Sequence, residues 1–157
     1  MICKRLGIGA ALAAGTLAAS LALAPGAAAV VPQTATIVAE CGLYGGGEAT
    51  LTATQDGSAA TITLSSSEIT TPLALAEDSV TSTLTLAKAG GGTTVFTGTE
   101  NPAIAAGAGV TVGPLPGTVA AGDSLEAFGG SLQMTVFGIT ITCTADGPQS
   151  PGPFVFE

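Results

Sequence analysis

Residues 48–64 read EATLTATQDGSAATITL, and that stretch decides the fold class. Ala49, Leu51 and Ala53 alternate with Thr50, Thr52 and Thr54. Past a turn, Ala60, Ile62 and Leu64 alternate with Thr61 and Thr63. Successive side chains of an extended strand point to opposite faces, so this period of two marks a pair of half-buried strands. Between them, Asp56-Gly57 suits a two-residue type I′ turn, whose central residues both take positive φ. Threonine on the outward face is β-branched, fits a pleated surface and hydrates without adding charge.

The pattern continues in both directions. Ile37, Ala39 and Cys41 share one face of a first strand near residues 34–41. Val80, Ser82, Leu84 and Leu86 form an inward set, and Lys88 to Gly92 is a loop before the return at Thr93 to Thr97. Ser65 to Ser79 holds Pro72 and the acidic pair Glu77-Asp78 and reads as a connection. Glu100 to Asp123 contains Pro102, Pro114, Pro116 and Gly117, which permit only short edge strands because proline cannot donate to a ladder. Leu132, Met134 and Val136 are even-numbered, whereas Ile139, Ile141 and Cys143 are odd. Something at Phe137-Gly138 therefore inserts a residue: either a β-bulge in one long strand or, preferred, a tight hairpin. Phe154 to Phe156 follow a Pro- and Gly-rich stretch as a terminal edge segment. About seven to nine short strands without helical periodicity predict an all-β chain, an antiparallel, immunoglobulin-like β-sandwich.

The N-terminus reads as a secretory signal. Lys4 and Arg5 precede an uncharged Ala- and Leu-rich run, Leu6 to Ala24, and Ala27-Ala28-Ala29 supplies small residues for cleavage before Val30. The run is close to bilayer length, but Gly7, Gly9, Gly15, Thr16 and Ser20 dilute it as an anchor. Residues 1–29 are thus expected to be a signal peptide and residues 30–157 a single secreted, extracellular domain. Cys3 leaves with the leader. Cys41 and Cys143 remain, and in an oxidising compartment they are expected to form one disulfide.

Several chemistries are argued against by composition. After residue 29, Lys88 is the only base against eleven acids. Nucleic-acid and anionic-membrane binding both need clustered cations, so neither is expected. The chain has no His, which removes Ser-His-Asp and Cys-His catalysis and, with two lone cysteines, an ordinary zinc site. Its acids are scattered and its aromatics few, unlike a glycosidase cleft. No enzyme activity and no cofactor are expected. Asp123 and Glu126 are the residual candidates for calcium, without EF-hand spacing. Tyr44, beside Gly45-Gly46-Gly47, is read as a turn residue and candidate ligand contact.

The Ala, Gly, Thr and Val bias, the leader and the two-cysteine layout resemble small secreted actinobacterial proteins. Leu115 to Leu125, LPGTVAAGDSL, is similar to a strand–turn–strand stretch of bacterial immunoglobulin-like domains. The chain also resembles the neocarzinostatin group, acidic secreted sandwiches that hold an apolar chromophore in a cleft. That group carries two disulfides and this chain can form one, so no binding residue is carried over. The resulting expectation is a non-enzymatic module of the envelope or medium, touching a protein or wall polymer through its surface. The alternatives are a carrier of a small apolar molecule and a surface-assembly protein using neutral Thr-rich edges.

Overall fold

A computed structural model describes residues 29–157; the leader expected over residues 1–29 lies, apart from Ala29, outside them. The strands are β1 (Thr34–Glu40), β2 (Gly46–Asp56), β3 (Ala59–Thr70), β4 (Thr81–Lys88), β5 (Thr93–Gly98), β6 (Gly109–Thr118), β7 (Ser124–Val136), β8 (Ile139–Ala145) and β9 (Phe154–Val155). A 3-10 turn at Gly42–Tyr44 follows β1. The expected period of two is realised: Ala49, Leu51 and Ala53, then Ala60, Ile62 and Leu64, then Ser82, Leu84 and Leu86 are all buried. Outward threonines meet in pairs across the strands, Thr54 with Thr61 at 2.6 Å, Thr83 with Thr97 at 3.1 Å and Thr135 with Thr140 at 2.9 Å. Such cross-strand pairs contribute roughly 0.2–1 kcal/mol each.

The sandwich expectation is corrected by the pairing. Neighbouring strands run β4-β5-β6-β3-β2-β1-β8-β7-β9, and β4 also pairs with β7, from Thr81↔Thr135 to Lys88↔Leu125. The first eight strands therefore close into an antiparallel barrel, with β9 attached to β7. Closure depends on a break inside β7. Its buried residues are odd-numbered at Leu125 and Ala127 but even-numbered at Leu132 and Met134, and Gly129 lies between them at φ 86°. A bulge of this kind bends a strand and increases its twist, which lets β7 serve β4 on one side and β8 and β9 on the other. Period-two patterning is the same in an open sandwich and a closed ring; only the choice of partners differs.

Three further expectations are revised. The first hairpin turn sits at Gly57-Ser58, because Asp56 pairs with Ala59; Gly57, at φ 61°, takes the first central position. β3 runs on to Thr70 through residues expected to be a connection. There Ser66 Oγ donates to the Glu48 carbonyl at 2.6 Å and accepts the Ile69 N–H at 3.0 Å, so the strand shifts phase without orphaning its backbone. β6 is a ten-residue strand between β3 and β5 despite Pro114 and Pro116. It tolerates them because its register against β3 is interrupted between Ile62 and Leu64 and its ladder with β5 has a single register pair, Phe96↔Gly117. The preferred hairpin at Phe137-Gly138 does form: Val136 pairs with Ile139, and the two turn residues have φ 50° and 76°, as a type I′ turn requires.

Cys41 and Cys143 are bonded, joining the end of β1 to β8 across 102 residues of sequence. Among the described residues, no helix is long and apolar enough to cross a membrane.

One end of the barrel is plugged by the first described residues together with the C-terminal segment. Phe154, Phe156 and Val30 are buried there, and Val31 bridges Val155. Gln149, itself buried, accepts the Ala127 N–H and donates to the Gly152 carbonyl, each at 2.9 Å, which pins the C-terminal segment to the β7 break. Asp123 sits at the same end. It accepts the Ala120 N–H at 2.9 Å and pairs with Lys88 Nζ at 3.1 Å. The Ala120 hydrogen bond holds its pKa below the ordinary 3.8; partial burial opposes this and Lys88 adds to the lowering. A carboxyl whose folded pKa is depressed stabilises the fold at neutral pH, and that stability is lost as pH falls through the folded value. Asp123→Asn should therefore lower the urea midpoint at pH 7, and the difference from the parent should shrink below pH 3.8. An unchanged difference into acid would contradict the linkage.

Ser82 is the one local misfit in the core. Its hydroxyl is fully buried, and among the described residues it has no hydrogen-bond partner. An unpaired buried hydroxyl costs roughly 1–3 kcal/mol of desolvation. Ser82→Ala should stabilise the protein by about 1 kcal/mol in urea unfolding, and a loss of stability would show that the hydroxyl is satisfied after all.

Candidate functional site at the open end of the barrel

The opposite end has no aromatic plug. A cavity of about 150 Å³ opens there, lined almost entirely by carbon. Its buried wall is Ile69, Leu75, Val80, Val110 and Met134, together with Cys41 of the disulfide. Its outer lining is Tyr44, Leu73, Phe137 and Ile139, all at least half exposed. Large apolar side chains left in water cost free energy unless something covers them, so a rim of this kind around a cavity has the character of a binding site.

Local sequence explains each wall. β8 pairs with β1 only through Ala39↔Ala145 and Glu40↔Thr144, so residues 139–142 run beyond the end of β1. With β7 they form an arm whose turn puts Phe137 70% in solvent. Next to it, Gly42 and Gly45 take φ 61° and 86°, and the Cys41 N–H donates to the Gly45 carbonyl at 2.8 Å. This short loop leaves Leu43 fully exposed and sets Tyr44 against the cavity.

The third wall, residues 71–80, is held from behind. Leu75 and Ile104 exchange backbone hydrogen bonds at 2.8 and 2.9 Å. Buried Asn101 acts as a clamp. Its Oδ1 accepts the N–H groups of Ser79 and Val80, both at 2.9 Å, and its Nδ2 donates to the carbonyls of Ala76 and Pro102 at 2.9 and 2.8 Å. Asn101→Ala orphans these groups and should cost about 2 kcal/mol. The expected signature is faster amide exchange at Ser79 and Val80; unchanged exchange would show that the wall is held by other contacts.

Acids stand at both ends of the barrel, with Asp56, Asp123, Glu126 and Glu157 at the plugged end. Glu40, Glu48, Glu68, Glu77, Asp78 and Glu100 lie on the strand ends and connections of the open end, all exposed. Lys88 and its partner Asp123 belong to the plugged end. The Glu68 carboxylate accepts the Glu48 N–H at 2.6 Å, which ties two of these acids across β2 and β3.

Of the residues singled out from sequence, Tyr44 and Cys41 reach the cavity and Cys143 is bonded beneath them. Asp123 and Glu126 serve other partners: Glu126 accepts the Gln149 N–H at 2.8 Å. Among the described residues, no three His, Cys, Asp or Glu side chains gather to hold a metal ion. Sequence reading missed Val136, Phe137, Ile139 and Ile141 as site residues. The signal was slight: the one apolar face of this hairpin, Leu132, Met134 and Val136 against Ile139 and Ile141, runs to its very tip, where Phe137 takes a turn position.

No family model, curated protein or solved structure matches the chain. The site is accordingly read from its own geometry. That geometry offers an open, concave hydrocarbon surface with few polar groups. The Thr71 hydroxyl is already spent on the Leu73 carbonyl at 2.7 Å.

Proposed function

We propose that the protein is a secreted, non-enzymatic binding module that takes an apolar group of a small molecule into the open end of its barrel. The observation that carries this reading is the carbon-lined cavity of about 150 Å³. A cavity of about this volume, lined by aliphatic and aromatic side chains, stays dry and accepts benzene. The fit is therefore to one ring or a short branched alkyl group, with the remainder of the ligand resting on the exposed rim. Secretion is supported by the leader-like sequence of residues 1–29 and by the buried disulfide, which belongs to an oxidising compartment.

The chain has one Tyr and no Trp, so emission excited at wavelengths where its five Phe do not absorb reports on Tyr44 at the rim of this cavity. Titrating the purified protein with toluene should change Tyr44 emission saturably. In Val80→Phe, which fills the cavity from its wall, the change should vanish while the far-ultraviolet circular dichroism stays that of a β protein. A linear, unsaturable response in the parent would remove the proposal.

Contact with an envelope protein or wall polymer is the second reading. It is favoured by fully exposed Leu43, which stands beyond the cavity lining. Retention of envelope fractions by the parent, and not by Leu43→Ser, would support it over the small-molecule reading.

A further inference from the structure

We infer that the open-end cavity selects ligands whose apolar group carries a cationic head, in preference to neutral or anionic ones. The inference rests on the proposed binding role of this cavity. Three independent features converge on it.

The cavity takes an apolar body of about one ring and offers no hydrogen-bonding floor, so the polar part of a ligand must remain at the rim. At that rim the two aromatic side chains, Tyr44 and Phe137, are half or more exposed, and their faces carry the negative lobe of the ring quadrupole. A cation near such a face is attracted, and an anion is not. Finally, the segments that bound the mouth carry carboxylates without a compensating base. Glu40 adjoins Cys41, Glu68 precedes Ile69, and Glu77 and Asp78 lie between Leu75 and Val80. Lys88, the base among the described residues, is at the other end and engaged by Asp123.

The field at the mouth is therefore negative, and a low-dielectric apolar wall focuses it. Exposed charges act through water, so the preference must weaken with salt: the screening length is about 30 Å at 0.01 M and about 3 Å at 1 M. A ring-containing anion would meet repulsion from these carboxylates and gain nothing from the aromatic side chains.

Three probes with one body and different heads test this: 2-phenylethylammonium, 2-phenylethanol and 3-phenylpropionate, each titrated against the purified protein by Tyr44 emission. At 0.01 M salt the ammonium should bind about tenfold tighter than the alcohol, and the carboxylate weakest. At 1 M salt the three should approach parity. The triple variant Glu77→Gln, Asp78→Asn, Glu100→Gln removes exposed charge, and Asn tolerates the left-handed φ of 52° at position 78. It should lower ammonium affinity while leaving the alcohol unchanged. Equal affinity for all three probes at low salt would overturn the charge preference and leave the cavity's binding role intact. Failure of every probe to bind would overturn both.

Discussion

Phe96→Ala should be the most damaging single substitution in the barrel wall, lowering stability by about 3–5 kcal/mol in urea unfolding. Phe96 is fully buried, and the ladder between β5 and β6 has a single register pair, Phe96↔Gly117. Ladder hydrogen bonds at that seam are thus few, and ring packing takes their place. A Cβ on Gly117 would come within 2.9 Å of three atoms of the Phe96 ring, so the ring lies directly on the glycine backbone. Truncating Phe96 opens a large void at a seam with almost no ladder of its own, although β5 stays paired to β4 and β6 to β3. Gly117→Ala attacks the same contact from the opposite side by overpacking and should cost about 1–3 kcal/mol. A loss below 1 kcal/mol for Phe96→Ala would show that this seam is held by something other than the ring.

Removing the disulfide should have a comparable effect. The bond closes a loop of 102 residues, for which chain entropy predicts about 4–5 kcal/mol. Cys41 and Cys143 are both buried, so the double Ala variant is the clean test, since Ser would add two buried hydroxyls. The structural consequence is local as well. β8 holds to β1 by two register pairs, and the sulfur bridge sits beside them. Without it the arm of β7 and β8 should loosen, and affinity for an apolar probe should fall together with stability. The denaturant midpoint and the Tyr44 titration, both read on parent and double variant, check this. Loss of stability with full retention of binding would mean that the arm is positioned by β7 alone.

Much of the wall was legible in the sequence because burial alternates strictly along it. Ala49 to Ala53, Ala60 to Leu64 and Ser82 to Leu86 lie on the inward face as their spacing requires. Cys41 and Cys143 were expected to pair, and they are bonded. What stayed hidden depends on partners distant in sequence. Closure of β4 on β7 leaves no mark on the pattern of β4, and the phase break in β7 at Gly129-Gly130 reads equally well as a loop. Pro114 and Pro116 argued against a long strand, but Pro114 falls in an interruption of the β3–β6 register, and Pro116, paired with Thr61, borders β5 where that ladder has one pair. Ser66 carried β3 past its expected end through side-chain hydrogen bonds that no periodicity displays. The cavity was invisible for a related reason. It is assembled from β3, β6, β7, β8 and three connections that lie far apart in the sequence. Tyr44 stood out because it is the only Tyr, whereas Phe137 and Ile139 looked like ordinary hairpin residues.

The most direct test of the open-end cavity is methyl-resolved NMR of the protein titrated with benzene. Saturable shifts confined to the methyl groups of Ile69, Leu75, Val80, Val110 and Met134, with Leu125 at the plugged end unmoved, are the predicted result. Shifts scattered over the surface, or none at benzene saturation, would contradict it.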